Sequence, residues 1–287
     1  MVRPLKRTMD QWDRGTPHGP ALLFTQAQVS WGLPVLAETQ QLVAAHLDGS
    51  ELGLIRAADL VAQDPALCVN VLHAASQSEG PNPYPLRIGE VVVRVLGTRG
   101  LQQVLDRTEV LRGLGDRPRL NLQHLREHSL NVALLARFHA RAAGADSDLA
   151  YLAGLLHDTG TLAVARHLPE SLRALLDLAG ADHSLDATCL AQGFAPPLRW
   201  TVALLEHLAV PAALPRLLMA VDSSDWPFAD PLANAREAIH RAHRLCEVRK
   251  SASAWDRWPE LHPALSENAL ARAAQHAEQL EFYAALH

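Results

Sequence analysis

An all-α fold is predicted by three features of the sequence. Ala and Leu dominate while aromatic residues make up only 5% of the chain, a balance that favours helices over sheets. Apolar residues recur in steps of three and four, the spacing of one helix face. Glycines and prolines fall between those stretches, where helices start and stop. With 48% hydrophobic residues among 287, the chain can build a sizeable core in one large or two small domains. Its one β-branched run, Val91–Val93, sits inside a helix-like pattern.

Taken in order, the elements divide the chain into two lobes. Residues 1–25 are polar and rich in Gly and Pro, the composition of a flexible tail. Residues 26–112 read as a first helical lobe. It contains the stretch SQSEGPNPYPLRIG, whose three prolines forbid regular helix and point to an exposed excursion. Residues 113–120 (GLGDRPRL) form a connector, and a second lobe starts at about 121. Within it, residues 121–142 carry Leu125, His128, Val132 and Leu135 on one helical stripe. Residues 148–158 give a second helix, with Asp146 or Ser147 as N-cap and Gly160 just past its end. Small residues at Ala150, Ala153 and Gly154 would let these two helices approach closely. Gly193, Pro196–Pro197, Pro211, Pro215 and Pro227 mark later helix ends. Residues 227–287 supply further helices that complete or extend the second lobe, the last of them amphipathic. The sequence shows neither an internal repeat nor a low-complexity block.

Composition excludes several function classes. A net charge of −5 argues against a general nucleic-acid binder, since phosphate contacts need excess Lys and Arg. The local basic stretch Arg236, Arg241, Arg244, Arg249 and Lys250 is interleaved with Glu237 and Glu247, the pattern of a solvated helix face. Cys68, Cys189 and Cys246 are isolated and odd in number, so reduced cytoplasmic thiols are expected rather than disulfides. The N-terminal stretch lacks the apolar core of a signal peptide, and no apolar run is long enough to span a membrane. There is no Gly-rich phosphate loop, no GxSxG elbow and no context for a nucleophilic cysteine.

Chemistry concentrates at three residues. His128 lies on the buried stripe of its helix, and the adjacent pair His157–Asp158 closes the apolar run AYLAGLLHDTGTL. Ala150, Ala153 and His157 share a face, so His157 also points inward. Histidine and carboxylate together suit a divalent metal, and burying them is costly unless they are paired or coordinated. The alternative is that both histidines are ordinary buried residues donating to backbone carbonyls. His124 shares a face with His128 but sits at the edge of the apolar stripe. His240 and His243 are three apart on the helix at 231–250, and His183 and His207 lie near helix or loop ends.

These stretches resemble a known family. EHSLNVALLARFHA followed by AYLAGLLHDTGTL is similar to the HD superfamily of metal-dependent phosphohydrolases, and more closely to the HD-related output domain (HDOD) family of bacterial signalling proteins. WGLPVLAETQQL at 31–42, LVAQDPALCVNVLHAAS at 60–76 and RIGEVVVRVLGTRGLQQVL at 87–105 match that family's entry motif, its second helix with an Asp-Pro turn, and its Leu-Gly turn with a helix. The resemblance covers roughly residues 26–226 and implies a two-lobed HDOD architecture. It maps the metal ligands of catalytic HD proteins onto His128, His157 and Asp158, with His243 where a distant Asp is expected. Thr161 replaces the lysine common after the His-Asp turn, and Ser224 and Asp225 stand where relatives carry paired histidines.

Those departures favour a degenerate site, and no catalytic residue is assigned. The resemblance then implies a non-catalytic regulatory module acting through a protein partner of a signalling pathway or a nucleotide ligand. The alternative is a metal-dependent phosphohydrolase or phosphodiesterase, with a divalent metal on His128, His157, Asp158 and His243. A sensor that binds a nucleotide without turning it over is a third reading. Two stretches offer a partner surface: the proline-rich excursion presenting Tyr84, and SASAWDRWPELHP with Trp255 and Trp258. Both tryptophans could instead pack under the C-terminal helix.

Overall fold

The structure, a computed structural model, describes residues 32–79, 87–111, 122–179, 185–222 and 232–250, with 111, 122–124, 222 and 243–250 described by backbone alone. The fold is all-α apart from one short strand pair. In the first lobe, β1 (Val35–Leu36) leads into α1 (Ala37–Ala45), α2 (Glu51–Val61) and α3 (Pro65–Glu79). Ser50 caps α2, its hydroxyl accepting from Gly53 N, and Asp64 caps α3, its carboxylate accepting from Leu67 N. The one-turn α4 (Ile88–Glu90) continues into a π-helical segment, Val91–Leu96, and then α5 (Gly97–Arg107). The β-branched run therefore forms the wider π turn rather than a regular α-helix, and Gly97 at φ +62° turns the chain out of it.

Strand β2 (Val110–Leu111) pairs in parallel with β1, Val35 opposite Val110 and Leu36 opposite Leu111. Two residues are too few to show an alternating pattern, so nothing in the sequence announces this pair. Asn70 on α3 fixes the entry strand. Its Oδ1 accepts from Leu33 N at 2.6 Å, and its Nδ2 donates to Leu33 O at 2.8 Å and to Thr108 Oγ1 at 3.1 Å. One buried side chain thus ties the start of the lobe to its end.

The second lobe comprises α6 (Leu122–Ala142), α7 (Ser147–Leu156), α8 (Thr159–His167), α9 (Pro169–Ala179), α10 (Leu185–Ala191), α11 (Pro197–His207), α12 (Ala213–Asp222) and α13 (Ala233–Lys250). Helix α6 packs against both α7 and α13. The expected close approach of α6 and α7 rests on Gly154, where an added Cβ would lie 2.8 Å from Ala133 Cα. One hydrophobic core runs through both lobes, from Leu33, Val43 and Leu67 to Leu152, Leu204 and Ile239. A smaller cluster gathers Val164, Leu172, Leu175, Cys189 and Phe194 around Trp200. Polar contacts also cross between lobes. Tyr151 donates to Ala62 O at 2.8 Å, Arg87 pairs with Asp148 at 2.6 Å, and His73 Nδ1 donates to Leu208 O at 2.8 Å.

Three expectations are corrected. Helix α3 runs on to Glu79 through the first residues of the proline-rich stretch; Ser76 and Ser78 there donate to His73 O and Ala74 O. Pro215 does not break a helix but sits in the first turn of α12, where a missing N–H costs nothing. Gly160 does not end α7, which stops at Leu156, but lies inside α8. Its smallness serves packing, because a Cβ there would overlap Thr201 N and the Trp200 backbone. Among the described residues, no helix is long and apolar enough to cross a membrane. The tail, Tyr84, the 113–120 connector, Pro227, Trp255 and Trp258 lie outside the described residues.

Candidate metal centre

The site forms where two helices meet a turn. Helix α6 carries His128, and the turn between α7 and α8 carries His157 and Asp158. Asp146 starts α7 by accepting from Asp148 N and Leu149 N, and the apolar face of α7 drives it against α6. Helix α7 ends as the chain reaches His157. Thr159 Oγ1 then donates to Leu156 O at 2.7 Å, satisfying one of the terminal carbonyls.

The three side chains converge. His128 Nε2 lies 3.2 Å from His157 Nε2 and 3.6 Å from Asp158 Oδ2, and His157 Nε2 lies 3.1 Å from Asp158 Oδ2. The imidazoles are nearly buried, at 10% and 8% side-chain exposure, while Asp158 at 24% faces an opening to solvent. His157 Nδ1 lies 2.7 Å from Gly154 O. A carbonyl can only accept, so Nδ1 carries a proton and Nε2 is turned toward the other two groups. Gly154 therefore does two things: it lets α6 approach, and its carbonyl sets the tautomer of His157.

That orientation brings Nε2 and a carboxylate oxygen to 3.1 Å, an arrangement that requires either a proton on Nε2, the ordinary His–Asp hydrogen bond, or a cation between them. A divalent ion answers the requirement. Ligand atoms held about 2.1 Å from one ion stand about 3.0–3.4 Å apart for octahedral to tetrahedral angles. Two of the observed edges, 3.1 and 3.2 Å, fall in this range and the third, 3.6 Å, lies just above it; the Nδ1–carbonyl bond is the outer-sphere contact that metal-binding histidines usually make. The residues fit a divalent metal. The fourth candidate, His243, stands on α13, but its side chain lies outside the described residues, as do those of His124, Asp222, Ser224 and Asp225. His240 is half-buried one turn before His243, and His207 is exposed at the end of α11.

Thr161 is 4% exposed and its N–H donates to Asp158 O at 3.0 Å, so the position of the expected lysine is a buried helix residue. Beside the site a small cleft runs between the lobes, lined by Pro34, Val35 and Leu36 and by Leu125, Arg126 and Leu162. Leu125 precedes His128 by one turn and Leu162 follows Asp158 by one turn. The cleft holds about 20 Å³ of free space, room for roughly one water. Among the described residues the cysteines take no part: burial pushes the thiol of Cys68 well up and that of Cys189 to about 12, so both stay protonated, and the side chain of Cys246 lies outside the described residues.

One contributor was invisible in the sequence. Thr201 on α11 is fully buried, donates to His157 O at 2.6 Å and accepts from Gly160 N at 2.9 Å. A threonine in an apolar helix between Trp200 and Val202 carries no local sign of such contacts.

Comparison with known proteins agrees with this fold. A family model for the HDOD domain matches residues 33–196. The MmoQ response regulator of Methylococcus capsulatus shares the fold, with a TM-score of 0.68 at 20% identity over 84% of this chain and 97% of that one. A second crystal structure of MmoQ, comprising residues 20–298, gives 0.61 at 19% identity, over 85% and 90%. A deoxyguanosinetriphosphate triphosphohydrolase-like protein of Corynebacterium diphtheriae is 43% identical over 68 residues, 23% of this chain. The chain spans only 15% of that relative's length.

Proposed function

The chain belongs to the HDOD domain family, and on that premise we propose that it is a regulatory module of a signalling pathway that retains an HD-type metal cluster without hydrolytic turnover. The observation that carries this reading is the pairing of an intact His128–His157–Asp158 triangle with a buried Thr161 where a phosphate-binding cation would stand. In this reading His128, His157 and Asp158 would hold a divalent ion and so tie α6 to the α7–α8 turn, and the helical surface engages a protein partner. His157 is oriented by Gly154 O, His128 reaches in from α6, and Asp158 supplies the negative charge. The likeness to a response regulator is consistent with a signalling role.

A second reading, a metal-dependent phosphohydrolase, draws support from the segment shared with the triphosphohydrolase-like protein. A bound divalent ion would there polarise a phosphoryl oxygen and a water. The two readings part on turnover. Losing one charge-stabilising group from a hydrolase site lowers the rate by about 10²–10³. Assays with nucleoside triphosphates, cyclic dinucleotides and Mg²⁺, Mn²⁺ or Zn²⁺ should therefore show no turnover above that of His157→Ala. Robust hydrolysis abolished by His157→Ala would overturn the regulatory reading and establish the enzyme.

A further inference from the structure

Asp158 occupies the N-cap of α8, the position where an aspartate normally turns its carboxylate back onto the first amides of the helix. Here it makes no side-chain cap bond. Its carboxylate is directed instead at His157 and His128, 3.1 and 3.6 Å away. The amide that such a cap would serve, Gly160 N at the second helical position, donates to Thr201 Oγ1 at 2.9 Å. The same hydroxyl donates to His157 O at 2.6 Å, a carbonyl at the end of α7. Its own preceding-turn carbonyl, Pro197 O, lies further off at 3.4 Å, so the usual back-bond of a helical threonine is the weaker contact. Thr201 is 0% exposed, and its backbone and that of Trp200 lie so close to Gly160 that only a glycine fits there. The hydroxyl is held against the turn.

We propose that Thr201 is the positioning residue of the metal centre: it takes over the capping of α8 and so leaves the Asp158 carboxylate to the histidines. Asp158 has two competing uses, capping its own helix or completing the cluster. Without the Thr201 hydroxyl, Gly160 N and His157 O lose their buried partner together. The carboxylate would then swing towards the helix amides, which draw it by their unsatisfied N–H groups and by the dipole of α8. The turn is thus held by contacts from outside itself. Those contacts come from α11, which lies beyond the residues matched by the family model. This inference rests on the reading of the cluster as a metal site.

The test uses Co²⁺ on the full chain, read by its visible absorption and by its dissociation constant. Wild type should bind one Co²⁺ with absorption that disappears in His157→Ala. Thr201→Ser keeps the hydroxyl and should retain the wild-type spectrum and affinity. Thr201→Val should bind about ten- to a hundred-fold more weakly with a changed spectrum, the usual consequence of removing an outer-sphere partner. Thr108→Val, the same change at a buried threonine of the first lobe, should alter stability without altering Co²⁺ binding. If Thr201→Val proves too unstable to purify, Thr201→Cys, a weak donor and acceptor, should give an intermediate loss. Wild-type spectrum and affinity in Thr201→Val or Thr201→Cys would overturn the proposal, as would failure of Thr201→Ser to restore them. Absence of His157-dependent Co²⁺ binding in wild type would instead remove the metal reading itself, and this inference with it.

Discussion

Titratable side chains outside the His128–His157–Asp158 cluster also feel the fold. His167 closes α8 beside Arg166, which pairs with Glu109 of the first lobe at 2.6 Å. Burial first, and then the charge of Arg166, hold the His167 imidazole below its ordinary value of 6.5, with Glu109 acting in the opposite sense. The folded state therefore prefers the neutral ring. Its contribution to stability is complete above about 6.5 and is lost as pH falls from there towards the folded value, because the unfolded chain takes up the proton first. Urea midpoints measured across that window should fall for wild type and fall less steeply for His167→Gln. At this scale the sequence was informative where helical spacing alone decides direction: His128 and His157 point inward as their periodicity requires. It was silent on Thr201, whose role depends on a tertiary contact with a distant turn.

At the scale of elements, α11 joins the site to the first lobe. One end fastens the His157–Asp158 turn through Thr201, and the other is fastened by α3 through His73 and Leu208 O. The helix closes with Val210 N on Leu205 O and Ala209 N on Glu206 O, the pattern that calls for a left-handed residue. That residue is Ala209, at φ +53°. A side chain in this region costs about 1–2 kcal/mol, offset in part by the greater chain entropy that a glycine loses on folding. Ala209→Gly should stabilise the protein by about 0.5–1 kcal/mol, read as a higher denaturant midpoint with unchanged slope. Unchanged or reduced stability would show that the turn relaxes away from this conformation. Helix ends of this kind were only partly legible. Pro197 and Gly193 marked theirs, because a fixed ring or a positive φ acts locally. Pro215 and Gly160 misled, because a first-turn proline is harmless and a glycine can serve packing as well as termination.

Over the whole molecule, the all-α class was legible from composition and from helical spacing. The shared core was not. Its cross-lobe contacts, such as Tyr151 on Ala62 O, join residues whose neighbours in sequence say nothing of each other. Helical periodicity tells which face is buried but not what buries it. The β1–β2 pair escaped for a related reason, since two residues pair only because Asn70 brings the ends of the lobe together. The architecture places a metal-type cluster at a turn held from both sides, with one face open to solvent. Elemental analysis of protein purified without chelator and without an affinity-tag metal tests this most directly. The account predicts close to one divalent ion per chain in wild type and none in His157→Ala. Folded wild-type protein that carries no divalent ion and takes up none on titration would contradict it.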